Sequence, residues 1–319
     1  MAADDARRMG AALALAERTR GMTAPNPNVG CVIVAGGVVV GRGRTQAGGR
    51  PHAEAMALEQ AGTRAQGATA YVTLEPCAHV SPRGPACSDL LIAAGVARVV
   101  VAHRDPDPRT DGQGIARLRT AGIAVEQGVR EAEAARVMAG FLTRRARARP
   151  CVTLKLALSL DGAAAMADGR SQWITGPEAR AHAHLERARH EAILVGRGTW
   201  EADRPRLDVR LPGLEQRAPE RVVLSSQPID GVRTIARPAE IAGLTGDHLL
   251  VEGGARTAAA FLRADLVDRL LLYRAPIIVG GGRTLPDIGL TDLTHAHGRW
   301  RFTDARALGS DRVEVYERG

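Results

Sequence analysis

Pro51-His52-Ala53-Glu54 is followed by Leu74-Glu75-Pro76-Cys77-Ala78-His79 and then by Pro85-Ala86-Cys87. One imidazole and two thiols, His52, Cys77 and Cys87, offer three protein ligands to a zinc ion. Three is what a catalytic zinc wants, because the fourth tetrahedral position must hold water. Bound there, zinc would bring the pKa of that water towards about 7. Glu54 lies two residues past the imidazole, close to the metal but free to shuttle protons. It would take one from the water and deliver it to a ring nitrogen and then to a leaving amine. His-x-Glu with Pro-Cys-x-x-Cys is the pattern of zinc-dependent base deaminases, in which the glutamate is not a ligand. Two unrelated buried cysteines and a surface histidine would be the bland reading. The joint occurrence of Pro-His-Ala-Glu and Glu-Pro-Cys in this order argues against it.

The spacing is unusual in one respect. Nine residues separate Cys77 from Cys87 where the pattern has two, so residues 80–86 must bulge out as a loop and return. Both cysteines are expected at or near a helix N-terminus, which favours thiolate. His79 is read as a contact to the substrate or to a residue behind the metal ligands, since a fourth protein ligand would close the site. Upstream, Ala24-Pro25-Asn26-Pro27-Asn28 sets two amides beside rigid prolines. An Asn side chain both donates and accepts, which suits the edge of a pyrimidine; Asn26 is the candidate, and a plain turn is the alternative.

These residues need a scaffold, and the pattern supplies an α/β one. Helix is expected over 4–21, strands over 29–35 and 38–43 around Gly36-Gly37, and a helix from Pro51 with His52 and Glu54 in its first turn. Strand 68–73, helix 88–94, strand 98–103, helix 115–121, strand 123–126 and helix 131–143 follow. That order predicts a sheet with helices on both faces, α/β/α. A basic stretch with Arg144, Arg145, Arg147 and Arg149, closed by Pro150, reads as an exposed linker. It divides the chain into residues 1–146 and 147–319. A second α/β pattern follows, with strands over 152–158, 192–195, 221–224, 248–251, 270–273 and 312–316 and helices over 177–189 and 256–263.

Composition limits the partners. The 319 residues carry a formal charge of +8 with 45% hydrophobic and only 3% aromatic residues, and Lys155 is the sole lysine. Arginines are scattered and are not interleaved with aromatics, so a small anionic substrate is favoured over nucleic acid. No apolar run approaches a membrane span, and the N-terminus is broken by charges throughout, unlike a secretory signal. The expected compartment is the cytoplasm, where disulfides are unusual.

Three segments of the first half, Pro25-Asn-Pro-Asn-Val-Gly-Cys31, Pro51-His-Ala-Glu54 and Thr73-Leu-Glu-Pro-Cys-Ala-His79, closely resemble the bifunctional riboflavin-biosynthesis deaminase/reductase family. So do Asp105-Pro-Asp-Pro108, Gly112-Gln-Gly114, Leu154-Lys-Leu156, Ser159-Leu-Asp-Gly162, Ser171-Gln-Trp-Ile-Thr-Gly176, Val251-Glu-Gly-Gly254 and Leu266-Val-Asp268. The resemblance covers nearly the whole chain. It implies a cytidine-deaminase-like α/β/α domain followed by a dihydrofolate-reductase-like α/β domain. It also implies deamination of 2,5-diamino-6-(5-phosphoribosylamino)pyrimidin-4(3H)-one, then NADPH reduction of the ribosyl chain to ribityl. A homodimer through the reductase half is a further implication.

By family position NADPH would meet Ala157, Trp173, Thr199, Asp203, Ser226 and the segment Gly254, Ala255, Arg256, Thr257, Ala258, Ala259 and Ala260. Substrate would meet Ser171, Arg187, Leu207, Arg210 and Glu252, two arginines suiting a phosphomonoester. No Gly-x-Gly-x-x-Gly follows a strand, but Glu252-Gly253-Gly254 lies between a strand and a helix, where backbone N–H groups can approach a pyrophosphate. Residues 277–282 form a second Gly-rich strand end and a weaker candidate. Lys155, on an apolar strand, is a core-edge residue or an active-site cation. Asp203 and Glu252 are the candidate proton donors for reduction.

The chain departs from the family pattern at Thr45, where a His is frequent, in the longer loop before Cys87, at Arg204 in place of Asp and at Asp208 in place of Thr. The last two leave open a protein that keeps only its deaminase activity. An RNA- or nucleoside-deaminase with a C-terminal binding module is the other reading, motivated by the basic stretch.

Overall fold

The computed structural model describes residues 2–79, 81 and 83–319. The chain divides into two compact units, residues up to Ala148 and from Arg149 onward. The boundary expected at 146/147 falls at the end of a helix.

The first unit runs α1 (Ala2–Glu17), β1 (Gly30–Ala35), β2 (Val38–Arg44), α2 (Ala53–Ala61), β3 (Thr69–Leu74), α3 (Cys87–Ala93), β4 (Arg98–His103), α4 (Gln113–Thr120), β5 (Ala124–Gln127), α5 (Glu131–Val137) and α6 (Ala139–Arg147). Its sheet has the order β2-β1-β3-β4-β5. The hairpin β1–β2 and the pair β1–β3 are antiparallel, and β3, β4 and β5 are parallel. Helices cover both faces. A side chain at Gly30 would strike Ala12 of α1, and alternation then turns Cys31 towards the face that carries α2.

Glycine explains how a core with so few aromatics closes. A Cβ at Gly41 would stand 2.1 Å from the Ala57 carbonyl oxygen, and one at Gly43 1.9 Å from that of Ala53. The backbone of α2 therefore rests directly on β2, with Ala53, Ala57 and Ala61 buried between them. That contact fixes the start of α2, where the site lies.

Two expectations change here. Residues 131–143 form two helices broken at Met138, a buried residue with φ −102° and ψ 18°. The basic stretch is no linker: α6 continues to Arg147, Arg145 pairs with Asp107 at 2.7 Å and Arg149 pairs with Asp268 at 2.6 Å. An anionic neighbour, not solvent, fixes each of these guanidinium groups.

The second unit runs β6 (Cys151–Leu158), α7 (Pro177–Arg187), β7 (Ala192–Gly196), α8 (Arg197–Asp203), β8 (Glu220–Leu224), β9 (Arg233–Ile235), β10 (His248–Val251), α9 (Ala255–Arg263), β11 (Arg269–Arg274), β12 (Trp300–Leu308) and β13 (Asp311–Arg318). The sheet order is β12-β13-β11-β6-β10-β7-β8-β9. β13 pairs antiparallel with β11 and β12, and every other pair in the sheet is parallel. The central strands read as continuous apolar runs because both faces are covered. The sequence pattern did not announce β9, β12 or α8. β12 contains no buried residue, so no alternation marks it.

Candidate functional site

The N-terminal site is assembled at the mouth of the sheet. His52 is the N-cap of α2, just outside the helix in which it was expected, with extended φ −73° and ψ 163°. That cap turns its ring towards the loop after β3 and the start of α3. Cys77 lies in that loop, and Cys87 is the first residue of α3. The three ligand atoms fall within 4.8 Å of one another. His52 Nδ1 is 3.3 Å from Cys87 Sγ and 3.7 Å from Cys77 Sγ. The Cys87 backbone N–H donates to Cys77 Sγ at 3.2 Å. The Cys87 thiol, His52 and that N–H together hold the Cys77 thiol far below its ordinary range, at about 4. An imidazole and a thiolate-prone pair in this geometry fit zinc.

Glu54 sits in the first turn of α2 and is 3% exposed. Burial pushes its carboxyl up to about 6, so a proton can enter and leave near neutral pH. The Asn26 amide nitrogen donates to the Gly49 carbonyl at 2.9 Å and lies 3.0 Å from His52 Nε2. Asn26 thus steadies the ring of a metal ligand as well as lining the cavity. His79 lines the same cavity outside the ligand cluster, 3.4 Å from Thr110 Oγ1.

The cavity encloses about 210 Å³. It is also lined by four arginines: Arg50, Arg83 and Arg109, which sequence reasoning passed over, and Arg145, which it placed in a linker. Arg83, between the two cysteines, donates to the Gly48 carbonyl at 2.7 Å; Val80 and Pro82 of that stretch lie outside the described residues. Asp107 accepts from Arg109 and from Arg145, at 2.6 and 2.7 Å. The Arg109 fork holds its carboxyl far below the usual range. Asp105, largely buried, is pushed the other way, up to about 6. Scattered arginines in a sequence give no sign that loops and a helix end will gather them at one mouth.

In the second unit Glu252 follows β10, its side chain 6% exposed. Arg187 of α7 forks it, with Nε to Oε1 at 2.7 Å and Nη2 to Oε2 at 2.9 Å. Lys155 of β6 brings Nζ to 3.8 Å of the same carboxylate. Burial alone would raise the Glu252 pKa, but Lys155 and Arg187 overcome it and hold it at about 2. Two expectations shift. Arg187, expected to fork a phosphate, forks Glu252 instead and also donates to the Asp208 carbonyl at 3.1 Å. Glu252, ionised at neutral pH, has no proton to donate. Leu207 is 4% exposed and packs with Ile193, Val195, Val223 and Leu250.

The remaining expected residues gather at the C-terminal ends of adjacent strands. Ala157 lies near the end of β6, Thr199 and Asp203 on α8 after β7, Ser226 after β8, and Gly254 is the N-cap of α9 after β10. A Cβ at Gly253 would meet Thr257 at 2.4 Å, and one at Gly254 would lie 3.5 Å from Thr199 Oγ1. Gly253 is thus set by close packing on Thr257, and the free N–H groups at the start of α9, whose N-cap is Gly254, fit the pyrophosphate of a dinucleotide. Thr257, Ala258 and Ala259 are buried, leaving Gly254, Ala255, Arg256 and Ala260 as the accessible part of that segment. Ser171, Trp173 and Arg210 are exposed, and Arg180 stacks over the Trp173 ring at 4.9 Å.

The family model for the cytidine and deoxycytidylate deaminase zinc-binding region matches residues 2–103, and that for the RibD C-terminal domain matches residues 150–234 and 239–313. The chain is 42% identical to riboflavin biosynthesis protein RibD of Escherichia coli, over 95% of this chain and 96% of that protein. The chain belongs to the RibD family. RibD of Mycobacterium tuberculosis is 41% identical over 95% of this chain and 94% of its own length. The solved RibD of Acinetobacter baumannii superimposes over the whole of both chains with a TM-score of 0.88 at 36% identity. The deaminase/reductase of Thermotoga maritima does so with a TM-score of 0.86 at 30% identity, over 99% of each chain.

As a RibD-family member the chain is a bifunctional riboflavin-biosynthesis enzyme, a zinc-dependent deaminase joined to an NADPH-dependent reductase. The family accounts for both clusters: a metal cage beside a proton-carrying glutamate, and a glycine-lined strand end beside a buried charge network. Among the described residues no helix is long and apolar enough to cross a membrane.

Proposed function

We propose that the first unit removes the amino group from 2,5-diamino-6-(5-phosphoribosylamino)pyrimidin-4(3H)-one and that the second reduces the ribosyl chain to ribityl. One observation carries this reading: the zinc ligands His52 and Cys77 share with Glu54 a cavity also lined by Arg50, Arg83, Arg109 and Arg145, and Cys87 completes the ligand cluster. The floor suits an amino-substituted ring and the rim a phosphate. His52, Cys77 and Cys87 would hold the zinc, which when bound would supply a water activated at neutral pH. Glu54 accepts the proton from the attacking side and returns it to the ring nitrogen and the leaving amine. Asn26 and His79 read the ring edge. Four guanidinium groups at the mouth bind the phosphomonoester through charge-assisted bonds.

In the second unit NADPH supplies hydride. The backbone at Gly254 and Ala255, with Thr199, Asp203, Ser226, Ala157 and Trp173, aligns it. As hydride adds at C1' and the bond from C1' to the ribose ring oxygen breaks, Lys155, which shares Glu252 with Arg187, delivers the proton to the released ring oxygen; Glu252 keeps that ammonium in place. Ser171 and Arg210 hold the substrate from the exposed side. We also expect a cytoplasmic homodimer through the reductase unit, supported by the edge strand β12 and its exposed Phe302. Nucleic acid is not a partner in this reading, because arginines of the basic stretch are engaged with Asp107 and Asp268.

The test follows ammonia release and NADPH oxidation by the zinc-loaded chain, with the phosphorylated substrate and its dephosphorylated nucleoside. Both signals are expected with the phosphate ester, and ammonia release from the nucleoside should show a KM about a hundredfold higher. Equal KM values would remove the phosphate from the deaminase reading. Ammonia without NADPH oxidation would leave a deaminase only.

A further inference from the structure

Glu75 follows the last residue of β3 and precedes Pro76-Cys77. It neither joins the metal ligands nor carries the protons of the reaction. Its carboxylate is buried, 3% exposed. Oε2 accepts the backbone N–H of Asp105 at 3.3 Å and of Gly112 at 2.9 Å, and Oε1 accepts that of Ile115 at 3.1 Å. Its own N–H donates to the His103 carbonyl at 2.9 Å. A buried carboxylate is costly unless hydrogen-bonded, and three N–H donors, two from the start of α4, meet that cost.

The same contact explains Gly112-Gln-Gly114, a motif without a role in the chemistry. A Cβ at Gly114 would stand 2.0 Å from the Pro76 carbonyl oxygen and 3.3 Å from Glu75 Cγ. Only glycine lets α4 lie flush on the Glu75-Pro76 backbone. The segment tied down at both ends, 105–112, forms one wall of the deaminase cavity. It carries Asp107, which grips Arg109 and Arg145, and Thr110, which touches His79. Cys77, two residues past Glu75, binds the metal. One carboxylate therefore refers the metal loop and the substrate wall to each other.

We propose that Glu75 is a positioning residue of the deaminase: it sets the distance from the metal loop to the 105–112 wall, so that the grip on the substrate's ribose-phosphate end places the ring against Glu54. This rests on the reading above that Arg109 meets the phosphate.

The experiment uses the full zinc-loaded chain with Glu75→Gln, whose amide would turn an N–H towards an N–H. KM for the phosphorylated diaminopyrimidinone should rise about tenfold with kcat changed less than about threefold. Zinc content and the visible spectrum of the cobalt-substituted protein should stay as in the wild type. Amide exchange at Gly112 and Ile115 should quicken, and NADPH oxidation on the deaminated substrate should be unchanged, which reports an intact fold. Gly114→Ala leaves Glu75 in place but lifts α4 from Pro76 and should reproduce the KM rise if Glu75→Gln does not fold. An unchanged KM in the folded variants, or a fall in kcat with an altered cobalt spectrum at constant KM, overturns the proposal. Should the wild type release no ammonia from this substrate, the substrate reading fails, and unchanged exchange at Gly112 and Ile115 would still refute the anchor separately.

Discussion

Two buried glutamates in this molecule are driven in opposite directions. Glu54 of the deaminase unit pairs with no arginine or lysine among the described residues, and in the metal-free chain burial lifts it to about 6 against the pull of His52. Glu252 of the reductase unit is as well enclosed but lies between Arg187 and Lys155, which hold it at about 2. The difference matches the two reactions. Hydrolytic deamination moves protons in several steps and needs a carboxyl that changes state near neutral pH. Hydride transfer needs alignment, and there a permanently ionised carboxylate serves better as a fixed post for a cation that holds the proton.

The comparison breaks most sharply at Glu54. Glu54→Gln keeps the shape and removes the proton carrier, so ammonia release should fall by about 10³–10⁴. Zinc content should persist, and NADPH oxidation on the deaminated substrate should stay within about twofold. Coupled ammonia and absorbance assays on one preparation check both. A parallel loss of the two activities in a folded protein would mean that the units do not work as separable sites.

The next largest effect concerns Arg187. Arg187→Met removes a buried partner and leaves Glu252 with Lys155 alone, a change that typically costs about 3–5 kcal/mol. The unfolding transition of the reductase unit should move down in temperature while that of the deaminase unit stays put, as calorimetry would show. If Arg187 were instead a substrate-phosphate ligand, as the family position suggested, the same variant would raise KM with no loss of stability.

How far this could be read from the sequence follows from the same contrast. His52, Cys77, Cys87 and Glu54 were legible because metal ligation and proton transfer admit few residue types at few spacings. The order of strands was largely legible too, since buried parallel strands are written as apolar runs such as Val99–Ala102 and Ile193–Val195. Charge pairing was not. Arg187 and Glu252 stand 65 residues apart, and a sequence does not say which acid an arginine will meet. The same limit hid the rim of Arg50, Arg83, Arg109 and Arg145 and turned Arg145 and Arg149 into an apparent linker. β12 escaped because neither of its faces is buried.

The opposite shifts also predict a pH signature. Glu252 has a folded-state pKa depressed from 4.5 to about 2. Its contribution to stability is therefore present above about 4.5 and is lost as pH falls through about 2. The span corresponds to roughly 3 kcal/mol. Denaturant titrations of the reductase unit at pH 6 and pH 3 should show part of that loss, and Glu252→Gln should flatten the difference. A wild-type slope that survives in the variant would place the acid sensitivity elsewhere.

The smallest effect sharpens the comparison at the surface, where charges are worth least. Asp208 Oδ2 pairs with Arg206 at 2.7 Å and Oδ1 with Arg210 at 3.1 Å. Both arginines are largely exposed, unlike the buried fork on Glu252. Such pairs contribute about 0–1 kcal/mol. A carboxylate between them competes with a substrate phosphate for the same guanidinium groups. Asp208→Thr should therefore lower KM for the deaminated phosphate substrate by up to about fivefold at low salt, with kcat unchanged, and the gain should shrink as ionic strength rises. Steady-state NADPH oxidation at two salt concentrations decides it. A KM that does not move would place the phosphate away from Arg206 and Arg210. A fall in kcat would mean that Asp208 orients Arg187 through its carbonyl and belongs with the buried network.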